Sequence, residues 1–250
     1  MTMNESLLLK HKSIRQFRRE PVNRELIKQI ITCAQHAATS EFIQSYTVIH
    51  ITDEVLKKRI YEEVANQKTI LNAPEFFVFC ADVNRLIMAG KMNGKEAPES
   101  YVQATETFLM ASVDTAIAAQ NAVIAAEAEG LGCTYIGGIR NNLEGLIKML
   151  HLPKGVYPVF GMVMGYPAED TEATAKPRLP LEVIYKENVY NTENDEEHLK
   201  VYDEVIRNYY IERTNGERNE TWTQQMTDFI QKPQRPFLKA VLEKQGFTLK

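Results

Sequence analysis

Between Thr105 and Glu129 the chain reads TETFLMASVDTAIAAQNAVIAAEAE, and from Ala116 to Ala126 only Gln120 and Asn121 are polar. As a helix this stretch covers about 25 residues and roughly 37 Å, with no wet face wide enough for a surface position. It is expected to be buried almost all round. Ala116, Ala118, Ala119, Ala122, Ala125 and Ala126 leave little bulk on it, so neighbouring backbones can approach closely, within the fold or across a subunit contact. Gly130 and Gly132 supply the stop, because glycine accepts the left-handed geometry that ends helices. A short buried strand, Cys133 to Ile136, then runs into Gly137 and Gly138.

Paired glycines at a strand end can leave backbone N–H and C=O groups unshielded, which suits a flat ligand with polar edges such as a flavin ring. An ordinary tight turn satisfies the same two residues.

A chain of 250 residues can bury roughly 70–75% of its unfolded surface in one core, so a single domain over residues 1–250 is expected. The net charge of −4 argues against non-specific nucleic-acid binding. Cys33, Cys80 and Cys133 are odd in number, widely spaced and set in apolar patterns, which reads as reduced packing cysteine in a cytoplasmic protein. Leu7 to Leu9 is too short for the core of a signal peptide, and the alanine-rich helix carries Asp114, Gln120 and Asn121, so no membrane segment is expected.

Elsewhere, Asn23 can cap a helix with Leu26, Ile27, Ile30, Ile31 and Ala34 on one face, and Asp53 caps another with Leu56, Ile60 and Val64. Ser45 to Thr52, Glu75 to Ala81 and Val156 to Met164 read as strands, the second buried on both faces. Leu86 to Ser100 loses periodicity around Gly90, Gly94 and Pro98 and reads as an irregular loop or lid. Asn141 or Asn142 caps a helix marked by Leu143, Leu146, Ile147 and Leu150. From Lys186 onward the chain is polar and helical, as expected of an extension wrapped on another surface. Helices alternating with strands give a buried sheet covered by helices. No strand leads into Gly-x-Gly-x-x-Gly, which disfavours a dinucleotide fold.

No nucleophile elbow or zinc-binding helix motif is present, and His11, His36, His50, His151 and His198 show no ligand spacing, so no metal and no catalytic side chain is expected. Anion binding remains. In His11-Lys12-Ser13-Ile14-Arg15 a hydroxyl sits between cations, a set able to surround a phosphate, although a solvated basic run near a terminus looks the same. In Lys176-Pro177-Arg178-Leu179-Pro180 the prolines favour extended backbone, so Lys176 and Arg178 would face one target; a surface turn is the alternative.

These two elements, together with Gln67-Lys68, Tyr135-Ile136-Gly137-Gly138-Ile139-Arg140-Asn141, Phe160-Gly161 and Arg213-Thr214-Asn215-Gly216, resemble in order the oxygen-insensitive NADPH nitroreductase and flavin reductase P group of the nitroreductase superfamily. The resemblance implies an α+β sandwich with a central, mostly antiparallel sheet, a homodimer with the long helix at its interface and residues 186–250 wrapping the partner, and one FMN in each of two interfacial sites. By position, it implies that His11, Lys12, Ser13, Arg15, Lys176 and Arg178 hold the FMN phosphate and ribityl chain, and that Gln67 with Tyr135, Ile136, Gly137 and Gly138 lines the ring. Thr39, Ser40 and Glu41 would come from the other subunit. Phe42, Arg213, Arg218 and Arg235 would contact substrate and NADPH, with Arg213 and Arg218 at the 2′-phosphate; on local sequence alone Arg213 is simply the end of a helix. Glu41 departs from the small hydroxyl residue usual in the family, and an acid near the ring is expected to lower the flavin potential. The implied activity is NADPH-dependent reduction of nitroaromatics, quinones or free flavin, with a dedicated flavin reductase or a non-enzymatic flavin-binding protein as alternatives.

Overall fold

The computed structural model describes residues 7–171 and 173–249. The chain forms two compact units, one of Met1–Ala173 with Arg235–Lys250 and one of Thr174–Gln234.

The first unit is built on four strands, β1 (Tyr46–His50), β2 (Glu75–Asp82), β3 (Gly132–Ile136) and β4 (Val156–Gly165), paired antiparallel throughout in the order β1-β2-β4-β3. Central β2 reads EFFVFCAD without a polar interruption and is buried along its whole length. Its alternate side chains serve two cores. Phe77 and Phe79 face one way, packing with Met162 and Met164 of β4 and with Ile27, Ile30 and Ala34 of α1 (Arg24–Gln35). Phe76, Val78 and Cys80 face the other, with Val163, Ile136 and Leu146. Each fully buried phenylalanine contributes roughly 1.5–3 kcal/mol of transfer free energy. Asn23 caps α1 through the Glu25 N–H, as its position suggested.

Asp53 caps α2 (Glu54–Ile60), which runs into a wide turn at Tyr61–Ala65 closed by a left-handed Asn66 and then α3 (Thr69–Asn72). Residues 86–100 are not the irregular loop that their glycines and proline suggested. Their two ends belong to α4 (Asn84–Met92) and α5 (Glu99–Gln103), and only residues 93–98 between them are irregular; Gly94 follows the first with φ of 67°, and Pro98 precedes the second. The glycines and proline punctuate two short helices instead of breaking one long one.

The alanine-rich stretch forms α6 (Thr105–Ala128), long and apolar enough by composition to cross a membrane, yet Ala111, Ala118, Ala119, Ala122 and Ala126 are fully buried in the unit's core. Burial is one-sided: Leu109, Val113 and Ile117, four residues apart, are 52%, 42% and 41% exposed. The expectation of burial all round therefore fails within one chain, because composition reports how apolar a helix is and not which neighbours cover it. Of the cysteines, Cys80 and Cys133 are buried but Cys33 is exposed, on the outer side of α1. After β3 come α7 (Leu143–Met149), capped by Asn142, and β4. The chain returns to this unit in α11 (Leu238–Lys244), where Leu242 and Phe247 pack with Ala81, Ala111 and Tyr157.

The second unit contains α8 (Leu181–Ile184), α9 (Asp195–Arg213) and α10 (Trp222–Ile230). Tyr202, Ile206 and Tyr210 of α9 form its core with Leu179, Tyr209 and Trp222. Thr221 and Gln224 close a reciprocal capping box at the start of α10.

Gly132 is where close packing is tightest. A Cβ there would lie 2.3 Å from Ile14 Cγ1 and 2.6 Å from Ile14 Cβ. Ile14 is itself buried and held by its backbone, so it cannot step aside. Gly132→Ala should destabilise the protein by about 1–3 kcal/mol, read as a lower urea midpoint with an unchanged slope.

Candidate cofactor site

Several segments of the first unit line up along β3 and the turn that follows it. The segment of residues 11–15 is laid along the strand by Ile14, whose N–H donates to the Cys133 carbonyl at 3.0 Å and whose carbonyl accepts from Thr134 Oγ1 at 2.6 Å. Buried Ile14 is the anchor, and Lys12, Ser13 and Arg15 on either side of it stay exposed. Among the described residues, none of the three side chains has a hydrogen-bond or ion-pair partner, so both cations remain free for an external anion. His11 is different. Its Nδ1 donates to Glu127 Oε1 at 2.7 Å, and Glu127, in the last turn of α6, is largely buried.

From Cys133 to Gly137 the strand advances four residues, roughly 13 Å, so the cationic segment and the paired glycines lie a small ligand's length apart. Gly138 N–H donates to Gln67 Oε1 at 3.1 Å, and the Gly137 carbonyl accepts from Arg235 Nη2 at 3.3 Å. The glycines are thus not bare, as their sequence suggested; side chains from two other segments occupy some of their polar groups. Glycine is nonetheless required, since a Cβ at Gly138 would sit 2.4 Å from Gln67 Oε1. Arg235, in a left-handed conformation, also donates to Asn141 Oδ1 at 2.9 Å, tying the turn to the C-terminal segment. Burial, helped by the adjacent Arg235 charge, lowers the pKa of Arg140, whose guanidinium donates to the Val159 carbonyl.

Tyr135 points outward from β3, edge-on to Phe160 with ring centroids 5.0 Å apart, and its hydroxyl donates to Gln120 at 3.3 Å. Burial, then the neighbouring Cys133 and Glu127, raise its pKa, so it remains a hydrogen-bond donor. The groups assembled here, free cations at one end of a strand and a glycine turn with amide and guanidinium groups at the other, fit a flat ligand carrying an anionic tail.

Thr39, Ser40, Glu41 and Phe42 form a tight turn between α1 and β1, and Glu41 and Phe42 are exposed. Ser40 N–H donates to Asp114 Oδ1 at 2.9 Å. Lys176, Arg178, Arg213 and Arg218 all belong to the second unit. There, Lys176 and Arg178 line a cavity of about 440 Å³ walled by Tyr202, Tyr210 and Trp222. Arg213 lies in the last turn of α9 and donates to Tyr209 Oη at 2.8 Å. Arg218 stacks 3.9 Å from the Tyr210 ring centroid and donates to Glu220 at 2.6 Å and Gln225 at 2.9 Å.

The comparisons with known proteins give the family. Residues 8–166 match the nitroreductase family, and residues 176–250 match its C-terminal domain. The chain belongs to the nitroreductase family of oxidoreductases. It is similar to the oxygen-insensitive NADPH nitroreductase of Salmonella typhimurium, 40% identical over 248 residues covering 99% of both chains, and to the FMN reductase (NADPH) of Bacillus subtilis, 39% identical over 98% of this chain and 99% of that one. Among solved structures, Bacillus megaterium NfrA1 superposes with a TM-score of 0.92 at 43% identity, covering 97% of this chain and 98% of that one. The NADPH:FMN oxidoreductase of Vibrio harveyi complexed with NAD+ superposes at 0.85 with 33% identity and 98% of both chains covered. Sequence reasoning did not single out Glu127 or Asp114 as partners of these segments. The signal for Asp114 was present: it is the one charged residue between Glu106 and Glu127.

Proposed function

We propose that this nitroreductase-family oxidoreductase binds FMN and uses NADPH to reduce nitroaromatics, quinones or free flavin. The observation that carries the proposal is the Ile14 pairing, which fixes two unpartnered cations along the strand that ends in Gly137 and Gly138. FMN, when bound, would supply the two-electron chemistry that links NADPH to the acceptor. We assign the chain's own residues to binding and orientation. Lys12, Ser13 and Arg15 meet the phosphate, and Glu127 holds His11 so that its other ring nitrogen faces the same anion. Gln67, Tyr135, Ile136, Gly137 and Gly138 line the ring. The family likeness adds Lys176 and Arg178 to the phosphate, Thr39, Ser40 and Glu41 to the ring, and Phe42 and Arg235 to the substrate. A cytoplasmic location suits a nicotinamide-dependent reductase with free thiols.

The protein should purify yellow and bleach on addition of NADPH under nitrogen. Arg15→Ala removes a charge-assisted contact and should weaken FMN binding by roughly ten- to a hundredfold, measured by flavin fluorescence on dilution. Full FMN retention by the Arg15→Ala/Arg178→Ala pair would refute the phosphate assignment.

We propose Arg213 and Arg218 as the groups that prefer NADPH over NADH, since the two cofactors differ only in a 2′-phosphate and cations must meet it. Each replacement by alanine should raise the NADPH KM and leave NADH kinetics nearly unchanged, a loss of about 1.5–3 kcal/mol in kcat/KM for NADPH alone. Equal losses with both cofactors would show that the stacking of Arg218 on Tyr210 serves only the fold.

We further propose a homodimer, with the exposed stripe of Leu109, Val113 and Ile117 on α6 covered by a second copy, since an apolar stripe of this kind is costly in water. Light scattering at micromolar concentration should give about twice the chain mass of 28.6 kDa. A well-folded monomer would overturn this.

A further inference from the structure

Asp114 lies in the middle of α6 with no exposed surface, and among the described residues no cation pairs with it. A buried carboxylate without a counter-charge is costly unless several donors turn to it. Three do. Oδ1 accepts from Ser40 N–H at 2.9 Å, while Oδ2 accepts from Ser45 Oγ at 2.9 Å and from Ser45 N–H at 3.4 Å. Ser40 and Ser45 are the two ends of one turn, so a single carboxylate braces its base on both sides.

The turn between them is strained. Glu41, Phe42 and Gln44 have φ of 48°, 57° and 50°, three left-handed non-glycine residues among four. Such conformations persist only where the surroundings over-determine them. Ordinary packing does not account for the strain, because the turn buries neither Glu41 nor Phe42, and Phe42 is 81% exposed. A buried acid satisfied by the ends of the turn and a contorted backbone within it therefore act together on the segment that carries the exposed Phe42.

We propose that Asp114 is a positioning residue that clamps residues 40–45 so that Phe42 stands as a preformed platform for an aromatic electron acceptor. This rests on the assignment of Phe42 to substrate binding above, and deepens it. Pre-organisation of this kind lowers the ordering cost of binding a flat acceptor, so its loss appears in the acceptor KM of the FMN-loaded protein.

The test uses Asp114→Asn, Phe42→Ala and the double variant, each checked for FMN content by absorbance and assayed with NADPH and 4-nitroacetophenone. Asp114→Asn should exchange the Ser40 and Ser45 amide protons faster and raise the acceptor KM about tenfold with kcat within about twofold. Phe42→Ala should do the same to the KM, and the double variant should be no worse than either single one, because both act through one ring. Additive losses, or faster amide exchange with an unchanged acceptor KM, would overturn the proposal and leave a clamp that serves only stability. If Asp114→Asn does not fold, Ser45→Ala removes one donor and should give a smaller change in the same direction; an unchanged KM overturns the proposal there too. Wild-type protein that binds no FMN would instead refute the parent reading, while the exchange measurement would still report on the clamp.

Discussion

The close seating of α6 against the sheet is the contact on which the rest depends. Alanines at 119, 122 and 126 let the helix axis approach Phe77, Phe79 and Cys133 without a bulky layer between them. Helix and strands then share one rigid frame, and the few polar residues of the helix become fixed points. Three of them hold separate segments: Asp114 holds the turn before β1, Gln120 the Tyr135 hydroxyl and Glu127 the His11 ring. Asp114 and Glu127 are thirteen residues apart, roughly 20 Å along the axis, so one element sets the spacing of groups that are distant in sequence.

Glycines do the complementary work where two backbones must touch. Gly132 admits Ile14, Gly138 admits Gln67, and Gly161 lies under Phe76, where a Cβ would come within 2.8 Å of the ring. At the first two positions the admitted residue belongs to a segment that carries candidate ligand groups. Close approach is thus a means of bringing functional segments to β3, and the strand becomes a ruler between an anion-binding end and a ring-binding end. The second unit follows different physics. Tyr202, Tyr210 and Trp222 pack around α9, and Arg213 and Arg218 engage Tyr209 and Tyr210, so these two cations are presented by aromatic side chains.

Much of the frame was legible in the sequence because it rests on local rules. The uninterrupted run of β2 implied burial on both faces, Asn23, Asp53 and Asn142 announced their helices, and the order of motifs from His11 to Gly216 pointed to the family. Where local rules ran out, the reading failed for identifiable reasons. The region around Gly90, Gly94 and Pro98 looked irregular throughout because helix breakers were weighed above the short helical runs on either side of residues 93–98. The long helix was expected to be covered on all sides because composition carries no information about neighbours.

What the sequence by itself determined is the set of elements, the family and the residue types available for binding an anion and a flat ring, since these follow from periodicity, capping and motif order. Only the tertiary structure decided which of those residues are free and which are held. Among the described residues Lys12 and Arg15 have no side-chain partner, while His11, Gly138 and Arg218 are already engaged by Glu127, Gln67 and Glu220. Those partners lie 116, 71 and 2 residues away, and for the first two no local rule links positions so distant in the chain. The same holds for Asp114, which reads in sequence as a lone acid in an alanine helix and in space as the brace of a strained turn, because a hydrogen bond depends on the distance between atoms and not on the spacing between residues.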